Sequence, residues 1–448
     1  MSDRTPGRPA ETFQNARERN LSFAKENSAY NREWFSSLRQ EVLRGTPFAF
    51  VNADTPTEIF KAMGVPVVVN QWWASVVAAK QKSADYLGQL NALGYRSSLC
   101  KYCSLAYAST LETDPESAPW GGLPTPAVVV SSNDCGSLHK VFELWSERFD
   151  IPFFRLDRLA IQPPRTADWL DNLNSGWEEI FGSDAIDYLT ERYKDLIGFL
   201  EDHTGQRFNP DRLRAVMDLV NRQEKYYFQT RELISAARPA PVNIADQMPA
   251  TMIPQWHRGT EWGLSRAQIF HEETERRVAA GEAAAPNEQV RLMWLGTGLW
   301  YNLGFYEYFQ QRYGAVFVWS IYTAIAADAY PTYGPDPLRA LAGRMTKIQA
   351  LLNTAPYNIE WFKREAQKAG INGVVSLTGG TEDDCRETFG QHHLLRRAFE
   401  DIGVPVLRLG VDNADARSFD DEAIRARVGA FIETEILAGR PARPTLVE

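Results

Sequence analysis

The stretch from residue 125 to residue 155 constrains the fold more than any other part of this 448-residue chain. Residues 126–132, Pro-Ala-Val-Val-Val-Ser-Ser, form a β-branched run that is typical of a buried strand. A turn over 133–137, a helix with apolar residues at helical spacing and a second strand at 151–154 are predicted to follow. Cys135 is therefore expected where a strand ends and a helix begins, the edge of an α/β sheet that binds ligands. A helix N-terminus also stabilises a thiolate, the form of cysteine that binds metals.

A second stretch, residues 373–407, repeats this design. Residues 373–377 predict a strand, residues 378–384 a loop, and Cys385 precedes a predicted helix and a further strand at 403–407. Because Cys135 and Cys385 take equivalent positions in two strand-loop-helix units, we expect two similar lobes that face one site.

The rest of the chain predicts helices around and between these lobes. Residues 10–44 and most of 167–237 indicate helices, and strand alternates with helix in the two parts that carry the cysteines. We therefore predict an α/β protein with two similar doubly wound α/β lobes, an N-terminal helical segment and a helical insert between the lobes. The predicted boundaries are 1–45 for the N-terminal helical segment, 46–165 for the first lobe, 166–285 for the insert and 286–448 for the second lobe.

Charge and composition narrow the classes of partner. The net charge of −9 and the lack of a basic stripe argue against nucleic acid. No apolar run reaches membrane-spanning length and the N-terminus is polar, so we expect no membrane partner and a cytoplasmic location. Four cysteines in a chain of this length do not make a disulfide framework.

The cysteines leave several kinds of site open. The pair Cys100 and Cys103, spaced as Cys-x-x-Cys, suits a redox pair, a zinc site or an iron–sulfur cluster. Zinc needs four thiolates, or three with a histidine, and thiolates suit an iron–sulfur cluster equally well. Because the cysteine-bearing loops are far apart in sequence, they favour a cluster between lobes at least as much as a compact zinc module.

Other polar and aromatic residues have a structural and a functional interpretation. Glu58 follows the first predicted strand and is either a first-turn helix carboxylate or an acid/base group at the same sheet edge. The pair His392-His393 is typical of a solvated helix face. The aromatic run from Trp294 to Phe309 predicts core packing, or a pocket for a flat apolar group.

A set of short motifs follows in a fixed order along the chain: Gly94-Tyr95-x4-Cys100-x-Tyr102, Asn133-x-Cys135, Ile151-Pro152, Tyr313-Gly314-Ala315-Val316, Asp336-Pro337-Leu338, Gly373-Val374-Val375 leading to Cys385, and Gly403-Val404-Pro405. In these motifs, from about residue 46 to residue 437, the chain resembles the family of 2-hydroxyacyl-CoA dehydratases and ATP-dependent benzoyl-CoA reductases. The length and the order of the motifs most resemble the larger, α-type catalytic subunit.

The resemblance implies a cofactor, a set of site residues and partners. In that family each catalytic subunit holds one [4Fe–4S] cluster by three cysteines, which implies Cys100, Cys135 and Cys385 as metal ligands here. Cys103 is an additional cysteine that could replace Cys100. Glu58 stands where dehydratases carry an active-site glutamate. The implied partners are a smaller homologous catalytic subunit, an ATP-hydrolysing iron–sulfur activator that delivers a low-potential electron, and an acyl-CoA substrate.

The two branches of the family differ in their reaction. The segment 315–337 and the aromatic content favour an aromatic acyl-CoA reductase of the benzoyl-CoA type, an oxidoreductase that reduces the ring of an aryl-CoA thioester. The alternative is a subunit of an (R)-2-hydroxyacyl-CoA dehydratase, a lyase that acts through a ketyl radical. A further alternative from another class is a zinc-stabilised two-lobed binding protein. The chain has no Gly-x4-Gly-Lys-Ser/Thr loop, which is consistent with an ATPase on another polypeptide.

Overall fold

A computed structural model describes residues 21, 23–95, 100–132, 135–157, 164–322, 330–377 and 391–438 of the chain. The strands are β1 (Ala49–Val51), β2 (Val67–Val69), β3 (Val128–Ser132), β4 (Phe153–Leu156), β5 (Val290–Leu295), β6 (Ala315–Ser320), β7 (Gly373–Ser376) and β8 (Val406–Arg408).

The helices surround these strands and fill the segment between β4 and β5. They are α1 (Phe23–Leu43), α2 (Thr57–Met63), α3 (Asn70–Ala79), α4 (Ser83–Ala92), α5 (Lys101–Ala108), α6 (Gly136–Phe149), α7 (Trp177–Phe181), α8 (Ser183–Thr204), α9 (Pro210–Ala236), α10 (Ile244–Trp256), α11 (Glu261–Ala280), α12 (Phe305–Tyr313), α13 (Pro337–Leu352), α14 (Tyr357–Ala369), α15 (His392–Glu400) and α16 (Asp421–Phe431), which a π-helical turn, Ile432–Leu437, continues.

The strands form two parallel four-stranded sheets with the same topology. The first sheet has the order β2-β1-β3-β4 and the second the order β6-β5-β7-β8. Because each strand of one sheet has a counterpart at the same place in the other, the chain is a mixed α/β protein with two α/β lobes, as predicted. The domain boundaries at residues 45, 165 and 285 remain predictions.

In each lobe the strand order reverses between the first and third strands along the chain. At such a switch point the connections leave the sheet in opposite directions and open a crevice at the carboxyl ends of the strands. In the second lobe Gly296 follows β5 at this point with φ +114°, and a Cβ there would lie 2.7 Å from the Leu377 Cβ. Only glycine therefore lets the chain leave β5 so close to the end of β7.

One apolar core joins the first lobe, the insert and part of the second lobe. Trp145 of α6, Tyr193 of α8 and Trp361 of α14 are fully buried members of it. The insert is thus packed into the protein and does not project from it as a separate module. No helix in the described ranges is long and apolar enough to cross a membrane.

Single residues redirect the backbone at several helix ends. Helices α3 and α4 are separated at Gln81, which takes a left-handed conformation at φ 59°. The Thr55 hydroxyl donates to Asn52 Oδ1 at 2.6 Å, and α2 begins two residues later at Thr57. Helix α10 contains Pro249 and Pro254, residues that usually interrupt helices.

Candidate active site between the two lobes

Asn52 ties together the two strand ends at the switch point of the first lobe. Its Oδ1 accepts a hydrogen bond from the backbone N–H of Ser132 at 2.8 Å, and its Nδ2 donates to Ser132 Oγ at 3.3 Å. The chain leaving β1 leads to Glu58, and the chain leaving β3 leads to Cys135. The side chains predicted to carry the chemistry therefore start from one edge of the sheet.

Three of the four cysteines lie together at this edge. Cys100 and Cys135 are the N-cap residues of α5 and α6, where the helix dipoles stabilise negative charge on sulfur. The buried Cys103 lies one turn into α5, and its thiol is in hydrogen-bonding contact with both of the other thiols. These two hydrogen bonds, and then burial, hold the pKa of the Cys103 thiol well above its usual value. Cys103 is accordingly a protonated thiol in contact with both of the other sulfurs.

The fourth cysteine, Cys385, lies outside the described residues. The strand before it, β7, ends at Ser376 in the second lobe, and β7 is the counterpart of β3, which precedes Cys135. Within the described ranges no three or more Cys, His, Asp or Glu side chains are arranged to hold a metal ion. The ligand set Cys100, Cys135 and Cys385 therefore stays a prediction.

The second lobe closes over the cysteines from the opposite side. The Tyr102 hydroxyl donates to Gln71 O at 2.9 Å and contacts Tyr322, which follows β6. Burial, and then the neighbouring Tyr322, hold the pKa of Tyr102 well above its usual value. Lys101 Nζ lies 3.3 Å from Asp415 Oδ2 in an almost fully buried ion pair between the lobes. Tyr322, after β6, and Asp415, after β8, thus lie against the part of the first lobe that carries Cys100 and Cys103.

Glu58 is placed by a buried network of charges that joins all three parts of the chain. Its side chain is 1% exposed, and Arg344 Nη1 of α13 donates to Glu58 Oε1 at 2.9 Å. Arg344 Nη2 donates to Glu224 Oε1 of the insert at 2.7 Å, and Arg258 Nε lies 3.4 Å from the same oxygen. Burial alone would lower the pKa of Arg344, but Glu224 and Glu58 outweigh it and raise that pKa.

Sequence reasoning missed Arg344, Glu224 and Arg258 as members of this site. A signal was present for Arg344, because it occupies the apolar face of α13 between Leu341 and Ile348 at spacings of three and four residues. A charged residue at a core position must find a partner, since an isolated buried charge is strongly destabilising.

A pocket opens beside this network at the end of β1. It has a volume of about 80 Å³, several times what one water molecule needs. The polar groups that line it include Asp54, Lys61, Arg258 and Arg344. Gln71 connects the pocket to the cysteine site, because its Oε1 accepts from the backbone N–H of Ala53 at 3.0 Å and its carbonyl accepts from Tyr102.

The fully buried Lys347 extends the network one turn along α13. Because of this lysine, we expect the free energy of unfolding to depend on pH. Its Nζ donates to the carbonyl oxygens of Leu173 at 3.0 Å and Tyr330 at 3.1 Å. Burial lowers the pKa of Lys347 to about 7. Above that pH the unfolded chain holds a proton that the folded chain has lost, so this lysine should make the free energy of unfolding rise with pH between about 7 and about 10.

Urea unfolding of the wild type and Lys347→Met at three pH values across this range measures the effect. The wild type should gain stability with pH relative to the variant. Lys368→Met, which removes a half-buried lysine of the neighbouring helix α14, serves as the matched control and should leave the slope unchanged. If the free energy of unfolding changes with pH equally in the wild type and in Lys347→Met, Lys347 has the same pKa in the folded and the unfolded chain, and the prediction is wrong.

The comparisons with known proteins agree over nearly the whole chain. Residues 52–434 match the family of the 2-hydroxyglutaryl-CoA dehydratase D-component. The (R)-phenyllactyl-CoA dehydratase alpha subunit of Clostridium sporogenes is 23% identical over 401 residues, which cover 88% of this chain and 90% of the relative. The (R)-2-hydroxyisocaproyl-CoA dehydratase alpha subunit of Clostridioides difficile is 22% identical over 394 residues, with coverages of 87% and 90%. The lactoyl-CoA dehydratase subunit alpha of Anaerotignum propionicum is 21% identical over 410 residues, with coverages of 88% and 92%.

These relatives contradict the first prediction from the sequence, that the chain is an aromatic acyl-CoA reductase. All of them are named as dehydratases, so the prediction of a ring-reducing oxidoreductase is wrong and the dehydratase alternative is the supported one. The aromatic run that favoured an aryl substrate is mostly core: Trp294 is fully buried and packs edge-to-face on Tyr306 with ring centroids 5.0 Å apart. The match over residues 52–434 shows that the chain belongs to the 2-hydroxyglutaryl-CoA dehydratase D-component family.

Proposed function

We propose that this chain is the larger catalytic subunit of a cytoplasmic 2-hydroxyacyl-CoA dehydratase. The reaction removes the hydroxyl group from C2 and a hydrogen from C3 of the acyl thioester, which yields a 2-enoyl-CoA and water without net redox change. The observation that carries the proposal is the match of nearly the whole chain to dehydratase alpha subunits. A smaller homologous subunit and an ATP-hydrolysing iron–sulfur activator are the proposed partners, as the family resemblance implies.

We further propose that Cys100, Cys135 and Cys385 hold a [4Fe–4S] cluster. The donor set supports this, because Cys100 and Cys135 are half-buried thiols at helix N-termini, and thiolates are the ligands that such clusters use. When bound, the cluster would supply one-electron chemistry and an iron atom that attracts oxygen ligands. The protonated Cys103 would donate a hydrogen bond to the sulfurs beside it, which tunes their electron density.

The remaining site residues would handle position and protons. Glu58 is the proposed acid/base group, which moves a proton between C3 and the leaving hydroxyl. Arg344 is a positioning residue, because its contact with Glu58 Oε1 fixes the carboxylate at the edge of the first sheet. Tyr102 of the first lobe and Tyr322 of the second lobe meet beside the cysteines, where they would exclude water from the reacting groups.

The test is the number of electrons consumed per molecule of product. The protein is assembled anaerobically with its partner subunit, its activator and ATP, and a 2-hydroxyacyl-CoA and benzoyl-CoA are offered in parallel. As a dehydratase it should turn over the hydroxyacyl thioester many times with only trace reductant, because the electron returns after water is lost. About two electrons consumed per benzoyl-CoA, with no turnover of the hydroxyacyl thioester, would reject the proposal.

A further inference from the structure

A lysine begins α5 at a position where the helix dipole disfavours a positive charge. Lys101 is the first residue of α5, directly after the N-cap residue Cys100, and the sequence of the first turn contains no acidic residue. A cation at this end of a helix is unfavourable, since the backbone N–H groups there already carry partial positive charge. The Lys101 side chain is nevertheless only 11% exposed. Such a conflict with the local rule indicates a compensating contact from elsewhere in the fold, and often a functional reason for it.

The compensating charge comes from the second lobe. Asp415 lies in the segment after β8, and its Oδ2 is 3.3 Å from Lys101 Nζ. The carboxylate is 3% exposed and thus more deeply buried than the lysine. Because apolar residues of similar volume often replace a buried ion pair without loss of stability, stability alone does not account for the pair. An ion pair has a fixed direction and reach, so it can also fix how the second lobe sits on α5.

The loop that presents the carboxylate, residues 412–415, is held in one conformation by hydrogen bonds. Asp412 Oδ1 accepts from the backbone N–H of Asp415 at 2.7 Å, and the Asp415 side chain caps the 3-10 turn Ala416–Ser418. The Tyr301 hydroxyl donates to Asp412 O at 2.7 Å, which ties the loop to the segment after β5. The loop therefore presents the carboxylate in a fixed place before it meets the lysine.

A second bond between the lobes lies beside the first. Gln81, between α3 and α4, donates from Nε2 to Tyr301 O at 3.1 Å. The same tyrosine holds the loop 412–415 through its hydroxyl. The 3-10 turn Ala416–Ser418 also contacts α4. The loop is thus docked on the first lobe at several points.

On the first lobe, Lys101 belongs to the helical turn that carries two cysteines. Cys100 O accepts hydrogen bonds from the backbone N–H and from the hydroxyl of Ser104, both at 3.0 Å, which joins Cys100 to the first turn of α5. Cys103 lies in that turn, and its thiol contacts the Cys100 thiol. Every residue of α5 is buried. Whatever fixes Lys101 therefore also fixes both thiols.

We propose that Asp415 is a positioning residue that acts through Lys101 to hold the first turn of α5, and with it the Cys100 thiol. The inference rests on the proposed iron–sulfur site and deepens it, because Cys100 is a proposed ligand and Asp415 comes from the lobe whose sequence contains Cys385. The ion pair holds the two lobes together beside the site, so the thiols of α5 keep their arrangement when no metal is bound.

Thiol alkylation of the full chain, freed of metal under reducing conditions, tests the inference independently of iron. Asp415→Asn keeps the size of the side chain and its capping oxygen but removes the negative charge beside Lys101, whose ammonium group must then move toward water. Labelling with iodoacetamide, read by peptide mass spectrometry, should show Cys100 and Cys103 reacting roughly 10- to 100-fold faster relative to Cys135, because the first turn of α5 opens more easily. Equal acceleration at all three thiols, or none, overturns the inference.

Two further variants assign the effect to the ion pair. Arg417→Met is the matched control, because Arg417 donates to both Asp415 oxygens at 2.8 Å from a side chain that is 49% exposed. It should keep the wild-type labelling ratio, since exposed ion pairs contribute little. In a Lys101→Met background, Asp415→Asn should have little further effect, because both changes act on one pair. Equal acceleration in Arg417→Met, or an undiminished effect of Asp415→Asn without Lys101, overturns the assignment.

Release of iron separates this inference from the proposed cluster. Anaerobically purified Asp415→Asn, treated with a chelator, should lose its iron roughly 10-fold faster than the wild type or Arg417→Met, the usual size of an effect on a group that orients a metal ligand. Release at the wild-type rate overturns the inference and leaves the cluster standing. A wild type without iron rejects the cluster, and the labelling ratio alone then decides the role of Asp415.

Discussion

Replacing Arg344 with methionine should lower the free energy of unfolding by about 3–5 kcal/mol, the usual loss when one partner of a buried ion pair is removed. Methionine keeps an unbranched apolar side chain but leaves Glu58 and Glu224 buried without their shared cation, and both are at most 1% exposed. Arg344 also connects α2 of the first lobe, α9 of the insert and α13 of the second lobe. The loss should therefore appear as one cooperative shift of the whole unfolding transition, measured by urea denaturation at neutral pH.

Arg339→Met is the matched control on the same helix. Arg339 pairs with Glu178 at 2.8 Å and with Asp187, but its side chain is 24% exposed and both partners lie at the surface. Exposed ion pairs contribute little, so this variant should cost less than about 1 kcal/mol. Equal losses for the two variants would mean that the Arg344 network is no more important than a surface pair.

The sequence sufficed to locate the strands of both lobes because buried parallel strands are continuous apolar runs. Residues 126–132 and 373–377 were both recognised in this way, and the structure places β3 and β7 there. The order of strands in each sheet could not be read from the sequence, since the same apolar runs suit many pairings. It depends on where the helices pack, which no local pattern records.

Part of the candidate site was also predicted, because some of its residues directly follow strands that the sequence reveals. Cys135 and Glu58 follow strand ends, so their place at the sheet edge followed from the local pattern, whereas Cys100 lies between the helices α4 and α5. The contact of Cys103 with Cys135 joins residues 32 positions apart, and the hydrogen bond from Arg344 to Glu58 joins residues 286 positions apart. Such contacts come from tertiary packing, and a single sequence without relatives does not reveal them.

The network also explains why stability and chemistry should be coupled in this protein. Arg344 is held by Glu224 of the insert, and it in turn holds Glu58, so the orientation of the proposed acid/base group depends on the packing of all three parts. A change in the insert, far from the cysteines in sequence, can therefore alter the site without touching a thiol.

Replacing Cys135 with serine should remove most of the iron from the protein and abolish turnover. Cys135 begins α6 directly after the switch point of the first sheet, where its thiol is half-buried and contacts Cys103. Serine keeps the size of the side chain but is a poor ligand for iron, which prefers thiolates in such clusters. Iron per chain, determined chemically after anaerobic purification, should fall from about four in the wild type to near zero. Cys385→Ser should behave in the same way if the two lobes supply equivalent ligands.

Cys103→Ser is the control that separates a ligand from a neighbour. Hydrogen bonds and burial keep the Cys103 thiol protonated, and a thiol is a much poorer metal ligand than a thiolate. This variant should therefore keep most of its iron, and a serine hydroxyl can still donate to the neighbouring sulfurs. If Cys103→Ser loses iron and Cys100→Ser does not, Cys103 is the ligand and Cys100 its neighbour. Full iron in Cys135→Ser would show that Cys135 is not a ligand and would reject the model in which both lobes supply ligands. Stoichiometric zinc in place of iron would reject the cluster itself and with it the proposed radical dehydration.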